Sequence, residues 1–123
     1  MPRPHNDKNR RREESGLNVL NAGTPAWMSD ELTMLDDAFS RFLEREIAPD
    51  YEAWVEAGCV TREAWEKTGA GGFLCSGMPE EYGAAGGTFA HESVIIRRLG
   101  LAGFDHFGIA LHSAIVAPYI KHY

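Results

Sequence analysis

Cysteine is scarce in this 123-residue chain: there are two, Cys59 and Cys75, and no C-x-x-C spacing. That excludes a disulfide-stapled scaffold, and both residues are read as free thiols in a reducing cytoplasm. Positive charge is not in excess. Lys and Arg total 12 against 18 Asp and Glu, net −6, so nothing draws the whole chain toward nucleic acid. No apolar run approaches the ~20 residues of a membrane span. The basic N-terminus has no apolar stretch after it, so a secretory signal is not expected.

Several chemistries are also missing. No Asp or Glu has a His three positions later, which removes the Glu-x-x-His element of a di-iron bundle. His91, His106, His112 and His122 lack a tight metal spacing; His112, in an apolar stretch, reads as packed or capping. G-x-S-x-G does not occur, so no nucleophile elbow is written here. Gly72 and Gly77 stand five apart, as in a P-loop, but Met78-Pro79 follow instead of Lys and a hydroxyl residue. G-x-G-x-x-G fails as well, because Leu74 occupies the third glycine position. These glycines therefore read as tight turns and close backbone approaches. Cys75 has no base beside it in sequence and reads as a buried structural thiol. The adjacent Glu80 and Glu81 read as turn residues facing water.

What is present is helical periodicity. Residues 1–26 carry five bases and three acids without a sustained period and are expected to be a flexible polar tail. Arg10-Arg11-Arg12 within it has no interleaved aromatics and reads as solvated. Order is expected from Trp27. Ser29 is placed as an N-cap, followed by Asp30 and Glu31. Leu32, Leu35, Phe39, Phe42, Leu43 and Ile47 then form one apolar stripe, with Asp36, Asp37, Arg41, Glu44 and Arg45 on the wet side. Pro49 stops or kinks this helix. Tyr51, Trp54 and Val55 continue as a helix ended by Gly58. Thr61 caps Arg62 to about Thr68, with Trp65 the main apolar anchor. Thr88 caps a helix bearing Phe89, Val94, Ile95 and Leu99 that ends near Gly100. A last helix from about Phe104 carries Phe107, Leu111, Ile115 and Ile120, with Pro118 kinking or ending it. The expected class is all-α, a bundle of four to six helices.

Three stretches in order, FLEREIAPDYEAWVEAG (42–58), TREAWEKTGAGGFLCSGMPEEYG (61–83) and HSAIVAPYIKHY (112–123), resemble the N-terminal α-helical domain of the acyl-CoA dehydrogenase family, most closely its long-chain branch. The likeness covers residues 27–123. It implies an FAD-dependent enzyme that oxidises acyl-CoA to trans-2-enoyl-CoA. In the family a glutamate removes the α-proton and the flavin takes the β-hydride. In the family FAD sits mainly between a middle β-domain and a C-terminal helical domain, and the glutamate lies in the latter, so no catalytic or cofactor-binding residue is expected here, and this segment alone is expected to be inactive. The resemblance further implies an electron-transfer flavoprotein as acceptor and a homo-oligomer, dimer or tetramer, in the full-length form. By position, Phe107, Ala110, Leu111 and Ala114 are implied to border the acyl pocket. Two departures stand out: Ala84-Ala85 where a second Gly is usual, and Arg97-Arg98 where Glu-Glu is common. The alternative is a truncated, non-catalytic helical interaction module.

Overall fold

The computed structural model describes residues 23–123. Most of the expected tail, with Arg10–Arg12, lies outside the described residues. Five α-helices and no strand occur among the described residues, in keeping with the all-α expectation.

Helix α1 (Asp30–Phe42) starts where expected. The Ser29 side chain accepts the Leu32 N–H at 3.3 Å, and Asp30 and Glu31 occupy the first turn. It runs on as a π-helical stretch, Leu43–Ile47, in which the Ala48 N–H reaches back to the Leu43 carbonyl at 2.8 Å. The wide turn lets Phe42, Leu43 and Ile47 all face the core. Pro49 falls in the turn that follows, where its missing N–H costs no ladder bond. Helix α2 (Tyr51–Ala57) ends at Gly58, φ +76°, a left-handed cap suited to glycine. Helix α3 (Arg62–Ala70) is capped by Thr61. A long loop leads to α4 (Phe89–Ala102). A three-residue 3₁₀ turn, Asp105–Phe107, then precedes a π-helical stretch, Ala110–Val116, that continues as α5 (Ala117–His122).

Helix α1 packs on α4, and α4 on the 110–116 stretch. The core between them holds Phe39, Ile47, Ile95, Phe107 and Ile109, each without exposed surface, together with Phe42, Leu43, Trp54, Phe73 and Leu99. Trp65 is only half-buried; Ala64 and Thr68 are the buried residues of α3. Trp65 still reaches the core through its ring, 5.1 Å from that of Phe107.

Several expectations need correction. Helix α4 does not stop at Gly100. It continues to Gly103, the first glycine there with positive φ (+77°). The last helix does not begin at Phe104, because Gly108 (φ +73°) breaks the backbone first. Pro118 neither ends nor breaks it: the wide π turn just before, with the Ala117 N–H on the His112 carbonyl, loosens the ladder that the ring would clash with. Phe89, Leu111, Ile115 and Ile120, apolar positions of the two last helices, are exposed.

Asp36 is the largest departure. It is not on the wet side but 8% exposed. Arg98 donates to it through two nitrogens, Nε to Oδ1 at 2.7 Å and Nη2 to Oδ2. This fork joins α1 to α4 and uses one of the two arginines that stand where the family resemblance leads one to expect acids. The Asp36 hydrogen bonds hold the Arg98 guanidinium even further above its ordinary value, against the opposing effect of burial. Elsewhere Lys67 bridges Glu46 and Glu63 at 3.2 and 3.0 Å. These groups are solvent-facing, and such pairs add little.

Breaking one side of the α1–α4 fork leaves the other charge without its partner. Arg98→Met is expected to lower unfolding free energy by about 2–3 kcal/mol, below the 3–5 of a wholly dry pair because Arg98 stays partly in water. The double variant Asp36→Leu, Arg98→Met is expected to recover most of the loss. Urea denaturation of the two variants checks this; a neutral single variant means the fork carries no stability.

Candidate functional site

The glycine loop between α3 and α4 is built by its own backbone. Phe73 is 7% exposed and inserts between Phe39 and Phe42, with ring centroids at 4.9 and 5.1 Å. Amides on either side of it are spent internally. Gly72 N–H goes to the Gly69 carbonyl, Met78 N–H to Cys75, Gly86 N–H to Met78 and Gly87 N–H to Ser76, at 2.8–3.0 Å. Gly77 N–H donates to Glu92 Oε1 at 3.0 Å. A phosphate cradle needs convergent amides that are free; these are already engaged. The close approaches also explain the glycines. A Cβ at Gly87 would lie 2.6 Å from the Ser76 carbonyl oxygen and 2.7 Å from the His91 ring. Glu80 and Glu81 lie in an exposed 3₁₀ turn, Glu80–Tyr82, as expected of turn residues.

His91 closes the loop's far end. Its Nδ1 accepts the Thr88 N–H at 2.9 Å, completing a capping box with the Thr88 side chain. Nε2 therefore carries the proton and faces Glu31 Oε1 at 3.1 Å. The spacing Thr88-x-x-His91 was visible in sequence, but a capping box is usually sought with Glu or Gln at its last position.

Cys75 corrects another expectation. Its thiol is partly exposed rather than buried, and the residue sits at φ +51°. Its N–H donates to Ser113 Oγ at 3.0 Å. That hydroxyl is then free to donate to His112 Nδ1, also at 3.0 Å. The Cys75 sulfur lies 3.9 Å from the same nitrogen. The His112 ring lies tilted against that of Trp65, centroids 5.4 Å apart, but the residue is exposed, not the packed histidine expected. Both cysteines are free thiols. Among the described residues no group of three His, Cys, Asp or Glu side chains is arranged to hold a metal ion, and no helix is long and apolar enough to cross a membrane.

The four residues singled out as pocket wall divide into two levels. Phe107 is fully buried, its ring 5.1 Å from Trp65 and 6.1 Å from Trp54. Ala110 and Ala114 are half-buried and Leu111 is 60% exposed. With Ile115, Val116, Tyr119 and Ile120, all exposed, Leu111 forms an apolar surface on the C-terminal helix. Sequence reasoning missed two groups: Glu92, buried at 3% exposure, and Ser113, which anchors the loop. A single acid in an amphipathic helix and a single serine carry no spacing signal.

Comparison with known proteins bears on this architecture. The family described as acyl-CoA dehydrogenase, N-terminal domain, matches residues 29–123. The mitochondrial long-chain specific acyl-CoA dehydrogenase of Rattus norvegicus is 32% identical over 109 residues, 89% of this chain and 25% of that protein. Its Mus musculus counterpart is 31% identical over the same coverage. A crystal structure of acyl-CoA dehydrogenase from Geobacillus kaustophilus superposes with a TM-score of 0.73 at 38% identity, covering 81% of this chain and 26% of that one. The chain thus spans about a quarter of the length of the curated relatives it matches.

Two glycine substitutions separate packing from helix propensity. Gly87→Ala is expected to destabilise by about 2–3 kcal/mol, since the carbonyl it meets is backbone and cannot swing away. Gly100→Ala, in the last turn of α4 with open space around it, is expected to stabilise by about 0.5 kcal/mol. Paired thermal and urea melts read both; equal effects mean the loop is not the close-packed clamp described.

Proposed function

The chain belongs to the acyl-CoA dehydrogenase family, and on that premise we propose that it is the helical N-terminal portion of an FAD-dependent enzyme oxidising acyl-CoA to trans-2-enoyl-CoA. Its part is to supply a wall of the acyl pocket. The observation that carries this reading is the two-level arrangement on the last helix: Phe107 locked in the core behind it, and Ala110, Leu111 and Ala114 outward of Phe107 beside an exposed apolar strip. Such a surface takes an acyl tail through burial, at about 0.8 kcal/mol per CH₂, and it keeps water from the tail. The small side chains at 110 and 114 leave depth for a long one, in keeping with the long-chain relatives.

The described residues do not themselves fit FAD. The amides of Gly72, Met78, Gly86 and Gly87 are committed to carbonyls and that of Gly77 to Glu92, and the larger clefts are open grooves of about 400 Å³. FAD and the catalytic base are therefore assigned to other domains of the enzyme, and no chemical step is placed on this segment. An electron-transfer flavoprotein as acceptor, a dimer or tetramer as assembly, and a cytoplasmic location belong to the same proposal, although the mammalian relatives are named as mitochondrial. The family match and the relatives do not favour the reading as a stand-alone interaction module.

The 123-residue chain alone is expected to show no acyl-CoA oxidation and no flavin retention. In a protein carrying the remaining family domains, Ala110→Leu is expected to cut kcat/KM for long acyl chains about tenfold, the equivalent of roughly two lost CH₂ contacts, and to leave short chains unchanged. A steady-state profile across chain lengths tests this. A uniform loss at every length removes residue 110 from the pocket wall.

A further inference from the structure

The base that Cys75 lacks in sequence reaches it across the fold. His112, 37 positions away, sets its Nδ1 3.9 Å from the Cys75 sulfur. Ser113 Oγ, which accepts the Cys75 amide, stands 3.0 Å from the same nitrogen. With the hydroxyl hydrogen turned to it, Nδ1 is the bare nitrogen of the ring and Nε2 carries the proton. That is the tautomer able to take a proton from the thiol. The sulfur contact is long, as acid–base contacts often are before a reactant binds.

The pair is also within reach of solvent. The Cys75 thiol is partly exposed and His112 is exposed. His112 and Leu74, the chain neighbour of Cys75, line an open groove of about 400 Å³ with Trp65, Arg62 and Glu66. Arg62 and Glu66 pair with each other at 3.0 Å, so the faces left to a small molecule are Leu74 and the rings of Trp65 and His112. Cys59, the other free thiol, is exposed. It shares a cleft with His106, but among the described residues no hydrogen bond joins its sulfur to a base.

We propose that Cys75 is a site of S-thiolation: with His112 as base, it exchanges with a small uncharged disulfide, R–S–S–R. The Cys75 sulfur bonds to one sulfur of the disulfide, whose S–S bond breaks. The thiol proton passes to His112 Nδ1 and then to the departing sulfur, which leaves as R–SH. Cys75 is oxidised and the departing sulfur is reduced, so no further oxidant enters. The thiolate is the attacking form, and a base in reach supplies it during the attack. The adduct forms where the glycine loop meets the C-terminal helix, the two elements that Ser113 ties. Phe107, Ala110, Leu111 and Ala114 take no part, so this site and the acyl wall stand or fall separately.

In the test the two thiols of the 123-residue chain serve as each other's control. The chain is treated with bis(2-hydroxyethyl) disulfide and quenched with acid at intervals. Mixed disulfides at Cys59 and Cys75 are followed by peptide-mapping mass spectrometry. Accessibility alone makes Cys59 the faster. The expected result is the reverse, with Cys75 thiolated at least about tenfold faster, below the roughly 10²–10⁴-fold a well-placed base provides. His112→Gln is expected to slow Cys75 about tenfold and to leave Cys59 unchanged. Loosening of the loop would expose Cys75 and speed it, so slowing separates a base from a packing role. Cys59 modified first or at an equal rate in the wild type, or a Cys75 rate undiminished in His112→Gln, overturns the proposal. The wild-type comparison decides even if His112→Gln fails to fold.

Discussion

One insertion sets the shape of this molecule: the Phe73 ring seated against Phe39 and Phe42. It carries the start of a loop otherwise rich in glycine into the core between α1 and α4. Once Phe73 is fixed, the chain must turn back across the end of α4 within a few residues. Close quarters there admit no side chain at Gly87. The return is held by Glu92 on the Gly77 amide, by Gly87 on the Ser76 carbonyl and by Ser113 on the Cys75 amide. Each bond fastens the loop to α4 or to the C-terminal helix, or closes it on itself. The loop is therefore a tie between elements distant in sequence, and its glycines serve backbone proximity rather than a ligand's phosphates.

Much of this was legible beforehand, and the reasons it was so are local. Ser29, Thr61 and Thr88 are N-caps whose oxygens meet amides two or three residues on, a relation contained in a few residues of sequence. Gly58 ends a helix for an equally local reason. The stripe from Leu32 to Ile47 needed only the helical period, and the order of the three longer stretches carried the family.

The failures have a common cause: each depended on something across the fold. Asp36 looked wet because a helical wheel counts residue type, and its partner Arg98 is 62 positions away. Gly100 looked like a stop because propensity cannot tell a glycine at ordinary helical φ from one at +77°. Trp65, read as the main apolar anchor of α3, does pack on Phe107 but stays half-buried, because the space directly beneath α3 is filled by Ala64 and Thr68. Glu92 had no signal at all, because its partner is a backbone amide and amides are written at nearly every position.

The C-terminal helix shows how far such reasoning reaches. Ile109 and Ser113 face inward and are buried, while Leu111, Ile115, Tyr119 and Ile120 face out and are exposed. A helix with an apolar strip on its exposed side as well as on its buried side belongs between two packed layers. The described residues supply one layer, the core around Phe107. A sequence stripe marks which residues are apolar but not which of two neighbours they are apolar for. The π-helical turn over Ala110–Val116 separates those sides, because a wide turn changes the phase of the side chains along the helix. It keeps Ser113 inward, on the Cys75 amide, with Leu111 and Ile115 turned out. On the proposed reading of this surface as a wall for a flexible acyl tail, an apolar strip already set out on a formed helix leaves less ordering cost to oppose binding.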